Sequence, residues 1–202
     1  MGGFIEVNLT GTQRKYPWET DSANWYRLYP GLKVPVHAPR KYFKKNTKSD
    51  EYSEKIIESK TKDLSDYFLP ALQAIISHNR FQEIDLLIVL PSSKIDEYSP
   101  TLLPLAVKLA KKNSFKNENI IKRIKETKKF SYTASLYDRY TSIKDTMVLT
   151  RKLDSQETNI LLLDDTKTTG IHLLECAKLL KKSKSTCSVT ALCLGINEMG
   201  GK

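Results

Sequence analysis

The hydrophobic residues of this sequence fall into two alternating kinds of segment. Short segments that contain clustered apolar residues and predict strands occur at residues 84–90, 119–125, 146–149, 160–163 and 188–194. The apolar run at 84–90 is nearly continuous, as in strands buried on both faces of a parallel sheet. Other stretches place their apolar residues on one helical face, at residues 63–78, 101–112 and 171–182. The alternation of strand and helix from residue 84 onward predicts an α/β fold with a parallel sheet and right-handed crossovers.

The first 62 residues have a different pattern. Residues 5–9 alternate between apolar and polar, which predicts a short edge strand. Residues 41–62 are mostly charged or polar, which predicts a solvated loop followed by an exposed helix at residues 50–60. We therefore divide the chain into an N-terminal extension, residues 1–62, and a main domain, residues 63–202.

The extension is rich in aromatic residues and prolines. Prolines at positions 17, 30, 35 and 39 argue against long regular elements. Its aromatic residues include Tyr16, Trp18, Trp25, Tyr26 and Tyr29. They are expected to pack the extension onto the main domain, and stacking on nucleotide bases is the alternative.

One segment joins a buried strand, a polar loop and a helix. The apolar run at residues 160–163 leads into Asp164 and Asp165, and a helix is predicted from residue 171. The loop predicted between the acids and the helix consists of Thr166, Lys167, Thr168, Thr169 and Gly170. Unpaired backbone N–H groups and the helix dipole make such a loop suited to phosphate. Ionised carboxylates accept hydrogen bonds from sugar hydroxyls, so the segment indicates a ribose 5-phosphate site. Ordinary helix capping is the alternative, but it explains only one of the two acids.

Two other polar segments are candidates for the same site. The strand at residues 84–90 is followed by a short polar loop with Ser92, Ser93 and Lys94. Residues 125–140 have no clear period, and a long unpatterned stretch in a compact domain is often a lid, with a surface hairpin as the alternative. The basic residues of this stretch include Lys125, Lys128, Lys129 and Arg139.

Charge and cysteine content narrow the class of protein. The formal net charge is +10, and residues 108–152 contain 13 lysines and arginines against 4 aspartates and glutamates. Such a basic segment attracts polyphosphates or nucleic acid, although scattered surface lysines are the alternative. The three cysteines form no C-x-x-C pair, which argues against a zinc ribbon and favours reduced thiols and a cytoplasmic location. No signal peptide or membrane-spanning run is evident, so no membrane partner is expected.

The segment Leu-Leu-Leu-Asp-Asp-x-x-Thr-Thr-Gly resembles the phosphoribosyl-pyrophosphate (PRPP) motif of type I phosphoribosyltransferases. Residues 85–195 are most similar to ComF-like members, through Arg123-x-x-x-Thr127 and the later Arg139, but the zinc ribbon of that group is absent. The resemblance implies a Rossmann-like parallel-sheet core. The chain departs from the motif at Thr166 and Lys167, where relatives have apolar residues, and at His172, where they have a small one.

The resemblance also implies roles for the candidate residues. Asp164 and Asp165 would be catalytic and hold the ribose hydroxyls, and residues 166–170 would hold the 5-phosphate. Ser92, Ser93 and Lys94 would bind the pyrophosphate. The basic residues of 125–140 would belong to a mobile loop that closes over it. In 6-oxopurine transferases an aspartate occupies the place of Thr168, so a hypoxanthine-guanine substrate is disfavoured here.

The expected function is transfer of a phosphoribosyl group between PRPP and a base or amine, with release of pyrophosphate. Magnesium is the expected cofactor, carried by PRPP without direct protein ligands. The acceptor stays open, and a homodimer is an alternative to the monomer because relatives often dimerise. Two other functions remain in view: a non-catalytic PRPP or nucleotide sensor on the same fold, and a nucleic-acid-binding protein that uses the basic segment and the aromatic residues.

Overall fold

The computed structural model describes residues 5–10, 29, 31–43, 50–77, 81, 83–127 and 136–197. The strands are β1 (Ile5–Thr10), β2 (Lys33–Ala38), β3 (Arg40–Lys41), β4 (Leu86–Val89), β5 (Lys116–Asn117), β6 (Ile121–Arg123), β7 (Met147–Leu149), β8 (Asn159–Lys167) and β9 (Ser188–Ile196). The helices are α1 (Glu51–Glu58), α2 (Ser65–Ile76), α3 (Leu102–Asn113), α4 (Leu136–Ile143) and α5 (Ile171–Ser183).

Seven of the described strands form the main sheet, in the order β1-β2-β9-β8-β4-β5, with β3 also paired with β9. All of its pairings are parallel except the antiparallel pairing of β1 with β2 at the edge. The prediction of a mixed α/β fold with a mostly parallel sheet is therefore confirmed, as is the edge strand near the start of the chain. β8 lies between β9 and β4, near the middle of the sheet.

Burial on both faces explains the continuous apolar run of β8. Ile160 and Leu162 pack on the face that α5 covers, in a core that also contains Leu174. Leu161 and Leu163 pack on the other face, together with residues of α2 and α3. Successive side chains of a strand point to opposite faces, so a strand covered on both sides needs apolar residues at every position.

The segments at 119–125 and 146–149 form strands, but these strands do not join the main sheet as predicted. β6 and β7 pair antiparallel with each other in a separate two-stranded sheet. Their apolar residues Ile121 and Met147 are fully buried in the core that lies beside α5. The apolar residues of these two segments therefore indicate only that the segments are buried. The prediction that both strands belong to the main parallel sheet was wrong.

The helices at 65–76 and 102–113 match the predicted amphipathic segments. In α3 the four residues expected on the apolar face, Leu102, Leu105, Ala106 and Leu109, are all buried. The prediction that the helix at 50–60 is exposed was wrong. α1 buries Tyr52 and Ile56 against the sheet, and the Tyr52 hydroxyl donates to the Leu194 carbonyl of β9 at 2.9 Å.

Four of the five aromatic residues singled out in the extension, Tyr16, Trp18, Trp25 and Tyr26, lie outside the described residues. Tyr29 is described, and it is buried in the core beside α5. Its hydroxyl donates to Glu175 of α5 at 2.8 Å, and its ring meets that of Tyr140 of α4 edge to face at 5.8 Å. Of the helices described, none has the length and apolar character needed to cross a bilayer.

Candidate functional site

The central strand brings the two acids to the carboxyl-terminal edge of the sheet. β8 continues past Asp164 and Asp165 to Lys167, because Thr166 and Lys167 remain paired with Gly195 and Ile196 of β9. The loop predicted to begin at Thr166 is therefore shorter than expected, and only residues 168–170 separate the strand from α5. Ligands of parallel α/β sheets bind at this edge.

A cavity of about 100 Å³ opens where β8 passes into α5. Gly170, the residue before α5, has a φ of +79°, a conformation that strains residues with a Cβ. The cavity is lined by Arg139, Ile143, Asp164, Thr166, Lys167, Thr168, Thr169, Gly170, His172 and Leu173. All five residues of the predicted phosphate loop and one of the two acids thus share a cavity at a helix N-terminus.

Asp164 occupies an environment that opposes its ionisation. Its Oδ1 accepts a hydrogen bond from the backbone N–H of Asp165 at 2.9 Å. Burial raises the pKa of the Asp164 carboxyl well above its usual range, and the neighbouring Asp165 carboxylate adds to the rise. A carboxyl with a raised pKa at a cavity wall is a frequent property of functional sites.

Asp165 is held by contacts with Thr166, the next residue of β8, and with Lys60, which follows α1. Its Oδ1 accepts from the backbone N–H of Thr166 at 2.6 Å and from the Thr166 hydroxyl at 3.2 Å. Its Oδ2 lies 3.0 Å from the Nζ of Lys60, which follows the end of α1. Burial lowers the pKa of Lys60, but the charge and hydrogen bond of Asp165 more than offset that effect, so its pKa is raised.

Lys60 was not predicted as a site residue. The lysine stands in a charged segment, with Lys55 and Lys62 close by, and nothing in the sequence distinguishes it from them. Its side chain is half exposed, as expected for a surface lysine. Only the burial of Ile56 against the sheet, which brings the end of α1 to β8, could have indicated its position.

The loop after β4 does not line the cavity. The Lys94 ammonium pairs with Glu97 at 2.9 Å, and the Lys94 backbone N–H donates to the Ser92 hydroxyl at 3.1 Å. The Ser93 carbonyl accepts from the backbone N–H of Thr127 at 2.9 Å. The predicted pyrophosphate residues therefore lie beside the start of the 125–140 stretch and outside the phosphate-loop cavity.

Of the four basic residues predicted for the lid, one lines the cavity, one is exposed away from it, and two are not described. Arg139 lies on α4 and lines the cavity, although the sequence of that stretch shows no helical period. Lys125 follows β6 with an exposed side chain, and its backbone N–H donates to Thr146. Lys128 and Lys129 lie outside the described residues.

Arg123 connects the loop after β4 to α5. It is only 3% exposed, and its Nε donates to the carbonyl of Ser92. Its Nη1 donates to the Thr146 hydroxyl at 2.9 Å, and its Nη2 lies 3.0 Å from the Nε2 of His172. Burial lowers the pKa of the Arg123 guanidinium. The sequence marked Arg123 only as part of a family pattern and gave no sign of this burial.

Three of the basic residues at 108–152 pair with carboxylates within the protein. Arg151 contacts both Glu118 and Glu157 at 2.7 Å, and Lys116 contacts Glu157 at 2.8 Å. Lys108 likewise pairs with a carboxylate of α2 at 2.6 Å. Fewer cations of this segment are therefore available to a nucleic acid than the sequence suggests.

No protein-family model matches this chain, and no curated protein matches it significantly.

Proposed function

We propose that the protein is a phosphoribosyltransferase that binds PRPP at the cavity between β8 and α5. One observation carries the proposal: Asp164 and the whole segment from Thr166 to Gly170 line a single cavity at the N-terminus of α5. A helix N-terminus attracts phosphate, and the adjoining acids suit vicinal hydroxyl groups. A sugar phosphate carries both kinds of group.

Different residues of the cavity would bind different parts of the ligand. The hydroxyls of Thr168 and Thr169 and the N–H groups at the start of α5 would bind the 5-phosphate, with Lys167 adding charge. Asp165, which the Nζ of Lys60 contacts at 3.0 Å, would accept hydrogen bonds from the ribose hydroxyls together with Asp164. Arg139, on the α4 side of the cavity, would face the remaining phosphates.

The donor set fits a magnesium ion that arrives with the ligand. Within the described part of the chain, no group of three or more His, Cys, Asp or Glu side chains could hold a metal ion. Asp164 and Asp165 offer carboxylate oxygens, the donors that magnesium prefers, but they are only two. When bound, magnesium would neutralise charge on the diphosphate, which makes pyrophosphate a better leaving group.

The proposed reaction is a displacement at C1 of the ribose. The bond from C1 to the diphosphate oxygen breaks, and its electron pair leaves with pyrophosphate. A nitrogen of the acceptor forms the new bond to C1 and loses a proton. Positive charge develops on the sugar during this step, and the carboxylate of Asp165 would stabilise it electrostatically.

Calorimetric titration with PRPP, with and without magnesium, tests the proposal. We expect saturable, magnesium-dependent binding by the wild type. The double variant Asp164→Asn/Asp165→Asn is expected to lose that binding while remaining folded. The control is Asp66→Asn/Asp96→Asn, which makes the same two substitutions at exposed positions and is expected to bind normally. Wild-type affinity in the first double variant would refute the proposal.

Two further measurements distinguish the proposed enzyme from the alternatives. Release of pyrophosphate with a base or amine acceptor supports catalysis, whereas tight binding without turnover favours a PRPP sensor. No PRPP binding, combined with binding to single-stranded nucleic acid that weakens steeply with salt, would favour the nucleic-acid function.

A further inference from the structure

Arg123 is a buried cation whose partners among the described residues are all neutral. Within the described residues no carboxylate lies within 4.0 Å of its guanidinium, and its hydrogen bonds go to Ser92, Thr146 and His172. A weaker contact, at 3.7 Å, joins its Nη2 to the sulfur of Met147. Buried charges are normally paired, because an isolated one is costly to remove from water. The burial of Arg123 beside the proposed phosphate site, with no carboxylate partner among the described residues, therefore suggests a functional role for its charge.

The contact with Arg123 determines which nitrogen of His172 carries the proton. A guanidinium has only donors, so the Nε2 of His172 must accept the hydrogen bond at 3.0 Å. The ring is then neutral with its proton on Nδ1. Burial lowers the pKa of His172 to about 3, and the positive charge of Arg123 acts in the same direction.

Nδ1, the second ring nitrogen of His172, carries the remaining donor of this side chain. His172 is the second residue of α5 and lines the cavity with Asp164 and Gly170. Among the residues described, none accepts a hydrogen bond from Nδ1. The ring therefore has one nitrogen held by Arg123 and one polar group left for a ligand.

We propose that His172 binds an oxygen of the phosphorylated sugar through its Nδ1–H, with Arg123 as the positioning residue that fixes this tautomer. The inference rests on the function proposed above. His172 would act as a neutral donor of fixed direction, and Arg123 would supply positive potential from behind it without touching the ligand.

The same geometry links two parts of the site. Arg123 holds the carbonyl of Ser92, in the loop after β4, while its other end holds His172 on α5. A shift of either element would disturb the hydrogen bond that sets the tautomer. Arg123 thus couples the position of the loop after β4 to the donor at the cavity.

Substitution of His172 by asparagine or glutamine distinguishes the roles of its two ring nitrogens. The amide N–H of asparagine lies near the position of Nδ1, so His172→Asn keeps the proposed donor and loses the contact with Arg123. The longer glutamine reaches the position of Nε2, so His172→Gln keeps an acceptor for Arg123 and loses the donor.

We expect opposite orders in two measurements on these variants. PRPP affinity, measured by calorimetry with magnesium, should fall on the order of tenfold in His172→Gln and less in His172→Asn, because only the first lacks the donor. Stability in urea should fall more in His172→Asn, because it leaves Arg123 without its partner. Equal PRPP affinity of the wild type and His172→Gln would overturn the inference while leaving the proposed function intact.

Nuclear magnetic resonance gives an independent test that needs no ligand. Long-range proton–nitrogen correlations of the imidazoles at pH 7 report the tautomer, and comparison with His172→Gln assigns the signal among the three histidines. A proton on Nδ1 supports the inference, and a proton on Nε2 overturns it. Adding PRPP and magnesium should then shift the Nδ1 resonance. Failure of the wild type to bind PRPP would overturn the proposed function, and this inference with it.

Discussion

Gly195 of β9 lies where Ile56 of α1 packs against the main sheet. A Cβ at this position would lie 2.7 Å from Cδ1 of Ile56 and 2.9 Å from Cβ of Tyr42. Carbon atoms in contact are normally about 3.5–4.0 Å apart, so each neighbour would have to move by roughly 1 Å. Ile56 is fully buried and Tyr42 nearly so, which leaves them little room to move.

The substitution Gly195→Ala is therefore expected to destabilise the protein. Overpacking of a core of this kind costs about 2 kcal/mol, which corresponds to a fall in melting temperature of about 4–8 °C for a chain of this length. Urea unfolding at pH 7, with the m-value compared to that of the wild type, measures the loss directly.

Ile56→Val provides the matched background, because it removes the Cδ1 atom that the new methyl group would meet. Alone it should cost about 1 kcal/mol. In that background Gly195→Ala should cost about 1 kcal/mol less than in the wild type, since only the contact with Tyr42 remains. A loss below about 0.5 kcal/mol for Gly195→Ala, or the same loss in both backgrounds, would refute this account of the contact.

Three other substitutions test the electrostatics of the fold. Asp164→Asn should raise the free energy of unfolding, because the folded state keeps this carboxyl protonated while the unfolded state ionises it. The gain should grow as pH rises above about 4, by at most about 1.4 kcal/mol per pH unit. Equal gains in the free energy of unfolding at pH 5 and pH 7 would argue against this account. Glu157→Gln should cost about 2 kcal/mol at pH 7, since hydrogen bonds from charged groups hold Glu157 and lower its pKa to about 2. The difference from the wild type should shrink as pH falls from about 4.5 towards 2 in acid titrations of urea stability. Tyr29→Phe should cost about 1–2 kcal/mol, because it removes the only hydroxyl donor that the structure shows to the buried Glu175, and an unchanged urea midpoint would contradict this.

The parts of the fold that could be predicted are those in which one physical requirement controls the residue pattern. β8 must be apolar on both faces because helices cover both, and its run of four apolar residues shows this directly. α3 covers the sheet with one face, so the spacing of Leu105 and Leu109 was sufficient to identify that face. Asp164 and residues 166–170 could be grouped from the sequence because they are close along the chain, and the structure places them at one cavity.

Other features depend on partners that are distant in sequence. The apolar residues of β6 and β7 indicate that these strands are buried. A pattern of three or four residues does not show which other strand each of them pairs with. β8 extends to Lys167 because β9 continues beside it, which the polar residues at its end conceal. Lys60 reaches Asp165 only through the packing of α1 on the sheet. Sequence patterns identified the single elements, whereas these pairings arise from the assembled sheet.

The position of β9 has a consequence for the order in which the sheet can form. β9 follows every other described strand in the chain, yet it lies between β2 and β8, and Val36 of β2 pairs with Ala191 about 150 residues later. During synthesis, at about 5–20 residues per second, the hairpin of β1 and β2 would wait roughly 10–30 s for this neighbour. Its inner edge stays unpaired for that time, and unpaired edges invite association with other chains. The nascent chain is thus most exposed to aggregation before its last strand emerges, and a chaperone that covers β2 would have its greatest effect in that interval.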